Sequence, residues 1–206
     1  MATNAKRLRR SFLVTLALGA AATGWMLSRS VGPTQVPLER FRFTDVAPSS
    51  SAIDFRLTDV NGQPRTLRDY QGRVVALFFG FTRCPNVCPT GLFKLAQVMK
   101  ALGPARDQVQ VLFVTLDPER DTPEVLRRYV TAFDPQFEAL TGTPEQIDGI
   151  AATYHVMHFK EAIGTDYTIG HSAATYLLDA QRRHRLVAPV DAAVEDLVHD
   201  IRLLAQ

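Results

Sequence analysis

Cysteine is nearly absent: 206 residues contain two, Cys84 and Cys88. Two are too few for a disulfide-stapled scaffold, and a chain of this length does not need one. A dominant charge is missing as well. The 23 basic and 21 acidic residues leave a formal net charge of +2, and part of that surplus lies in the N-terminal segment. The body therefore lacks the electrostatic footprint of a nucleic-acid-binding domain, and no nucleic-acid partner is expected. No glycine-rich loop follows a strand-like run, since Gly80 stands alone, which excludes a phosphate cradle of the usual kind. Internal repeats and low-complexity tracts are absent too. What remains is a chain of 46% apolar and 21% charged residues, enough for one packed domain with an appendage.

The appendage is N-terminal. Lys6, Arg7, Arg9 and Arg10 precede residues 11–27, "SFLVTLALGAAATGWML", a run of 17 residues without a charge. A helix of that length falls just short of a hydrocarbon core of about 30 Å. Trp25 sits where an indole suits the membrane interface, and the cationic flank favours leaving the N-terminus in the cytoplasm. The leading reading is an uncleaved membrane anchor. A cleaved signal peptide, with Ala20 and Ala22 as an A-x-A-like site, and a buried core helix are the alternatives. Arg9-Arg10-Ser11-Phe12-Leu13 also resembles a twin-arginine export signal. The first two readings both place the body outside the cytoplasm, where an unprotected thiol pair is open to oxidation. The expected organisation is a basic tail and anchor over 1–28, a Pro- and Ser-containing linker over 29–51, and a folded domain over 52–206.

Within that domain, "IDFRLTD" and "RTLRDY" flank Asn61-Gly62 and predict a hairpin. Residues 73–81, "RVVALFFGF", are nearly all apolar and predict a strand covered on both faces. A helical spacing runs over 91–102, a second buried strand over 109–117, and a helix over 122–133 with Thr122 as N-cap and Pro123 at its first position. A short strand near 137–140 and a helix over 144–154 follow. "HVMHF" and "AATYLLD" read as two further strands, separated by a loop with Gly164 and Gly170, and 191–204 as a closing helix. Alternating strands and helices with a late antiparallel pair indicate an α/β domain with a mixed sheet flanked by helices. A strand running straight into Cys-x-x-x-Cys at the head of a helix is a thioredoxin-like layout.

The two cysteines lie in "FFGFTRCPNVCPT", residues 78–90. Pro85 lacks an N–H and Pro89 suits a first helical turn, which puts Cys84 in the loop and Cys88 at the helix mouth. Positions four apart on a helical turn converge, and a helix N-terminus favours thiolates. Three chemistries are open: a local structural disulfide or pair of buried thiols, a redox dithiol, or a metal clamp. The small loop gives a disulfide little chain entropy to remove. The three-residue gap departs from the two-residue gap of typical oxidoreductases. Two thiolates would select a soft ion such as Cu(I) or zinc, and a metal site then needs a third donor.

Five histidines are available. His184 lies in the charged "QRRHR" and His199 on the polar side of the last helix. His155 and His158 could act together only if their segment were helical. His171 differs, because it follows Gly170 in a loop that a thioredoxin-like fold brings beside the first long helix. Gly170 permits close approach there, and Ser172 could orient the ring.

"FFGFTRCPNVCPT", "VTLDPERDTPEVLRRY" and "DYTIGHSAATYLLD", in this order, resemble the Sco/SenC family of copper chaperones, from about residue 53 to the C-terminus. The resemblance implies a thioredoxin-like domain tethered to the inner membrane of bacteria or mitochondria. It implies one copper, Cu(I) or Cu(II), held by Cys84, Cys88 and His171. It also implies a partner, subunit II of cytochrome c oxidase, whose copper A centre is built by metal delivery, by reduction of the target's cysteines, or by both. For a bacterial chain the expected location is the inner membrane, with the domain in the periplasm. Many members carry Asp where this chain has Gly170, so a carboxylate is missing beside the expected ligand. Asp117 is expected to cap a turn with Pro118, and Arg120 to pair with Asp121. An exported thiol-disulfide oxidoreductase or thiol peroxidase, and a copper sensor that transfers no metal, are the competing functions.

Overall fold

The computed structural model describes residues 40–46 and 54–206, so the expected anchor over 1–28 lies outside the described residues. Among the described residues, no helix is long and apolar enough to cross a membrane. The described residues form ten strands and four α-helices in this order: β1 (Thr44–Asp45), β2 (Leu57–Asp59), β3 (Pro64–Arg65), β4 (Val74–Gly80), α1 (Val87–Leu102), β5 (Val109–Thr115), α2 (Pro123–Thr131), β6 (Glu138–Thr141), α3 (Pro144–Thr153), β7 (His158–Ile163), β8 (Asp166–His171), β9 (Ala174–Leu178), β10 (His184–Pro189) and α4 (Val194–Leu204). Eight strands form one mixed sheet in the order β1-β10-β9-β4-β5-β6-β2-β3, while β7 and β8 pair only with each other.

The core follows from β4 and β5, each seven residues long and buried throughout. They pair in parallel from Val74↔Val109 to Gly80↔Thr115, so both chains leave the sheet at the same edge. Parallel pairing requires a crossover, which α1 supplies between β4 and β5 and α2 between β5 and β6. On the other side of β4, β9 runs antiparallel. α1 turns Leu92, Leu95, Val98, Met99 and Leu102 inward and packs against α4. α2 starts as its sequence predicts: Thr122 accepts from Val125 N–H at 3.3 Å, with Pro123 next. α3 starts on a capping box between Thr143 and Gln146, which satisfies two otherwise orphan donors.

Several parts differ from the sequence reading. Of "HVMHF" only His158 and Phe159 are in a strand, and most of "RTLRDY" is a 3-10 turn over Leu67–Tyr70 rather than a hairpin strand. Residues 166–171 are not loop but β8, six register pairs long with β7. Gly164 takes a φ of 58° in the two-residue connection, the conformation a tight hairpin demands. The second late pair is β9 with β10, and β10 begins inside the charged "QRRHR" stretch. The turn before it is held by Asp179, whose carboxylate accepts from the N–H groups of Gln181 and Arg183 at 3.1 and 2.9 Å.

Within the residues read as linker, Thr44 and Asp45 pair with Val187 and Leu186 at the sheet edge. Just before them, the fully buried carboxylate of Asp200 on α4 accepts from Arg42 N–H and Phe43 N–H at 2.9 and 3.0 Å. His199 Nδ1 also contacts it at 2.7 Å. Removing the acceptor leaves these partly buried donors without a protein partner; a hydrogen bond to a charged group contributes about 1.5–3 kcal/mol. Asp200→Ala should lower the unfolding free energy by about 3 kcal/mol, read as a shift of the urea midpoint without a large change in slope.

Candidate metal centre

Three segments meet at the carboxyl edge of β4 and β5. The first is the loop that follows β4. Cys84 N–H closes a turn on the Phe81 carbonyl at 3.2 Å, and α1 then opens at Val87. No side chain from the N-cap residue Asn86 bonds to the helix backbone. Instead Cys88 N–H donates to Cys84 Sγ at 3.4 Å, so a sulfur takes one of the orphan donors of the first turn. Pro89 removes the need for another.

Cys88 itself is fully buried. Its sulfur occupies space that only glycine leaves open: a Cβ on Gly80 would lie 2.7 Å from Cys88 Sγ and 2.9 Å from the Phe113 ring. The lone glycine of the buried strand therefore makes room for the thiol.

The second segment is β8, which brings His171 in from far along the chain. His171 Nε2 lies 3.6 Å from Cys88 Sγ, and its Nδ1 lies 3.0 Å from the Ser172 carbonyl. A carbonyl only accepts, so the ring proton belongs on Nδ1 and the Nε2 lone pair faces the sulfurs. Serine does orient the ring, but through its backbone; its Oγ accepts from Met157 N–H at 3.2 Å. Phe81 meets the imidazole edge-on, with centroids 6.0 Å apart. The two sulfurs and the ring nitrogen all lie within 4.8 Å of one another. One soft ion would draw these three donors together with small movements, since metal–sulfur and metal–nitrogen bonds are about 2.0–2.3 Å for ions of this size.

The electrostatics differ from the simple helix-mouth expectation. Burial pushes the Cys88 thiol pKa well up, and the neighbouring Cys84 adds to the rise, against a lowering hydrogen bond to the Phe81 backbone. Desolvation outweighs the helix terminus at this sulfur. Burial also pushes His171 below the usual histidine range, against the bond to Ser172. The imidazole is thus neutral and ready as a ligand at neutral pH, whereas Cys88 must give up a proton.

The third segment is the loop between β5 and α2. Asp117 does not cap a turn with Pro118 through its side chain. Its buried carboxylate accepts from Arg120 Nε at 2.5 Å and from the Tyr167 hydroxyl at 2.8 Å. Arg120 and Asp121 do not pair. Asp121 instead accepts from Thr82 N–H at 3.1 Å, from Thr82 Oγ1 at 2.5 Å and from Thr115 Oγ1 at 2.6 Å, pinning the residue two before Cys84. Sequence reasoning missed Thr82 and Tyr167. Both sit inside the quoted motifs, but nothing in their spacing reveals their partners.

The other histidines are not part of the three-donor cluster, although His158 is the register partner of His171. His155 follows α3 at a φ of 55°, and His158 contacts Asp148 at 3.3 Å. His184 is buried among the Tyr154 and Tyr176 rings, and His199 contacts Asp200.

A family model described as SCO1/SenC matches residues 45–206. The chain belongs to the SCO1/SenC family. Similar curated proteins include the bovine mitochondrial protein SCO2 homolog, 40% identical over 179 residues, covering 83% of this chain and 66% of the relative. A SCO2-like protein of Rickettsia felis is 33% identical over 152 residues, covering 72% of this chain and 74% of the relative. Among solved structures, Bradyrhizobium japonicum ScoI with copper bound superposes with a TM-score of 0.69 at 37% identity, over 74% of this chain and 98% of that one. Yeast Sco1 with copper bound superposes with a TM-score of 0.68 at 31% identity, over 75% and 87%. The SCO1/SenC fold here is the thioredoxin-like mixed sheet described above.

The two thiols should be chemically unequal. Cys84 is half-buried and Cys88 wholly so, and each unit of raised pKa costs a factor of ten in thiolate. Iodoacetamide at pH 8 should alkylate Cys84 faster than Cys88 by more than about tenfold, read by peptide mapping over time. Equal rates would mean that Cys88 is not enclosed.

Proposed function

We propose that this protein is a copper chaperone. It binds one copper ion through Cys84, Cys88 and His171 and assists assembly of the copper A centre in subunit II of cytochrome c oxidase. The observation that carries the proposal is the convergence of two sulfurs and one imidazole nitrogen within 4.8 Å. Membership of the SCO1/SenC family and the copper-bound state of two similar structures support the choice of ion. Two thiolates and an imidazole offer Cu(I) a three-coordinate site, and Cu(II) would take the same donors plus an oxygen ligand. The cationic flank and Trp25 support a single-pass anchor over 11–27, which would hold the domain over 52–206 on the periplasmic side of the inner membrane.

The protein's own residues prepare the site in three ways. Cys84 is the accessible donor, with the helix terminus and Cys88 N–H turned toward its sulfur. Cys88 is the fixed donor, seated on Gly80 and shielded from solvent. The Ser172 carbonyl holds the His171 proton on Nδ1 and leaves Nε2 free. An incoming thiolate on the acceptor can displace donors one at a time from the Cys84 side.

The exposure difference also favours a second activity of the same pair. Cys84 thiolate would attack a disulfide of the target, forming a mixed disulfide and releasing one target thiol. Cys88 would then displace the second target sulfur as its own proton leaves, so the target gains two thiols and this chain a disulfide. An external dithiol reductant must restore the pair before the next cycle.

Copper titrated anaerobically into the reduced protein should bind at one equivalent, with sulfur-to-copper charge transfer in the Cu(II) form. His171→Ala should keep the fold and weaken binding by more than about a hundredfold, beyond the usual cost of an outer-shell change. Affinity should rise with pH through the neutral range, by about tenfold per pH unit for each proton released. The sign follows from Cys88, which stays protonated until the ion displaces its proton, whereas His171 competes for protons only in acid. Incubation with an apo copper A domain then separates the activities. Signal from the copper-loaded form alone indicates delivery. Thiols appearing with the copper-free dithiol form indicate reduction. Tight binding without transfer indicates a sensor.

A further inference from the structure

The β7–β8 hairpin carries His171 yet has no backbone ladder to the eight-stranded sheet. Little apolar burial holds it either. In β8 only Ile169 is buried, and Met157, Phe159 and Ile163 stand 74%, 61% and 60% exposed. A cleft of about 260 Å³ lies beneath β7, lined by Leu116, Pro118, Ile147, His158 and Lys160. What fixes the hairpin to the body is a set of polar contacts, most of them made to the loop between β5 and α2.

These contacts are not equivalent. Lys160–Glu119 at 2.7 Å and Arg83–Asp166 at 3.1 Å join side chains exposed on both partners, and such pairs contribute little. Arg120 is mostly buried, and its Nε is locked to the wholly buried Asp117. From that anchor its Nη1 donates to Asp166 Oδ1 and to the Tyr167 carbonyl, both at 2.8 Å. The guanidinium also lies over the Tyr167 ring, 3.6 Å from the centroid, and the Tyr167 hydroxyl returns to Asp117. A planar cation with several donors suits this combination of fork and stack, and an ammonium does not.

We propose that Arg120 is the positioning residue of the histidine donor. Through Tyr167 it sets which face of β8 turns toward the cysteine loop, and so aims His171 at Cys84 and Cys88. The geometric reason is the pleat: Tyr167, Ile169 and His171 share one face of the strand. Clamping Tyr167 and burying Ile169 fixes the rotation of β8 about its axis, and the imidazole follows. Because the neighbouring Asp121 pins Thr82, one short loop sets both halves of the site. The inference rests on the metal reading of the three donors, but its geometry exists without metal.

The test uses the full chain in detergent, with Cu(I) and Cu(II) salts as probes. Arg120→Gln should lower copper affinity by about 10–100-fold, the usual range for outer-shell changes. It should weaken the imidazole nitrogen coupling in the Cu(II) electron paramagnetic resonance spectrum and keep the sulfur charge-transfer band. Arg120→Lys should recover only part of the loss. Added to His171→Ala, Arg120→Gln should change affinity by less than about twofold, because an effect that acts through a missing ligand cannot add. Wild-type affinity and nitrogen coupling in Arg120→Gln, or fully additive losses in the double variant, would overturn the proposal. Should Arg120→Gln fail to fold, Tyr167→Leu keeps Arg120 on Asp117, removes the stack, and should show the same spectral loss; an unchanged spectrum there overturns it equally. If the wild type binds no copper, the chaperone reading fails on its own. The positioning role of Arg120 is then judged in the metal-free chain, where Arg120→Gln should speed amide exchange across 166–171 and leave β4 and β5 unchanged. Unchanged exchange across 166–171 would sink it.

Discussion

A sulfur atom packed against a missing side chain is the contact on which the site depends. Cys88 Sγ packs so close to Gly80 that a Cβ there would lie 2.7 Å from it, with the Phe113 ring alongside. β4 is buried on both faces, and Gly80 is held by its pairing with Thr115 of β5 and by the Leu116 N–H that donates to its carbonyl at 2.7 Å, so the sulfur resting on Gly80 has a fixed seat. One donor is thereby made part of the core. The other two need only be brought to it, Cys84 by the turn from Phe81 and His171 by β8. This division lets a site of three donors form from segments more than eighty residues apart without a disulfide or a rigid cage.

The same burial sets the proton balance. A thiol in the core resists ionisation more strongly than the helix terminus favours it, while the imidazole resists protonation for the same reason. Both shifts favour an uncharged Cys88 thiol and a neutral ring over a lone buried charge. A soft monovalent cation reverses this preference, because the charge of the ion compensates that of the thiolates as they form. Cys88 is therefore protonated in the metal-free site, and metal binding there is an exchange of a proton for an ion.

Much of this was legible in the sequence, for identifiable reasons. β4 is a continuous apolar run and β5 nearly one, and α2 and α3 begin with Thr-Pro pairs that cap by the expected geometry. Cys84 and Cys88 announce themselves by rarity and spacing. β8 and β10 were hidden because their markers point both ways. Gly164 and Gly170 read as loop residues. Gly164 is the hairpin turn, however, and Gly170 is a strand residue covered by the ring of Phe159, its register partner. A Cβ at Gly170 would lie 2.5 Å from that ring, so glycine is there for packing rather than for chain freedom. "QRRHR" reads as a solvated turn, yet His184 is buried, because the Asx-type turn at Asp179 folds the chain back within a few residues. The partners of Arg120 and Asp121 were illegible for a different reason. Neighbours in sequence with opposite charge invite pairing, but consecutive positions in this loop point apart, one toward the hairpin and one toward the cysteine loop.

The delivery proposed for this site needs donors of unequal mobility, and the three donors here are held by three kinds of force. Cys88 is fixed by apolar packing, which no passing ligand disrupts. Cys84 is fixed by one turn and one N–H, on a half-exposed loop where an incoming thiolate can compete. His171 lies on an arm with an exposed outer face, fastened largely by hydrogen bonds and ion pairs. Packing energy depends on excluding water and is lost only by unfolding; polar fastening exchanges with water at modest cost. The order of release follows from that contrast. On the proposed delivery, the donors free to leave first would be the accessible sulfur and the imidazole, and the last would be the sulfur resting on Gly80.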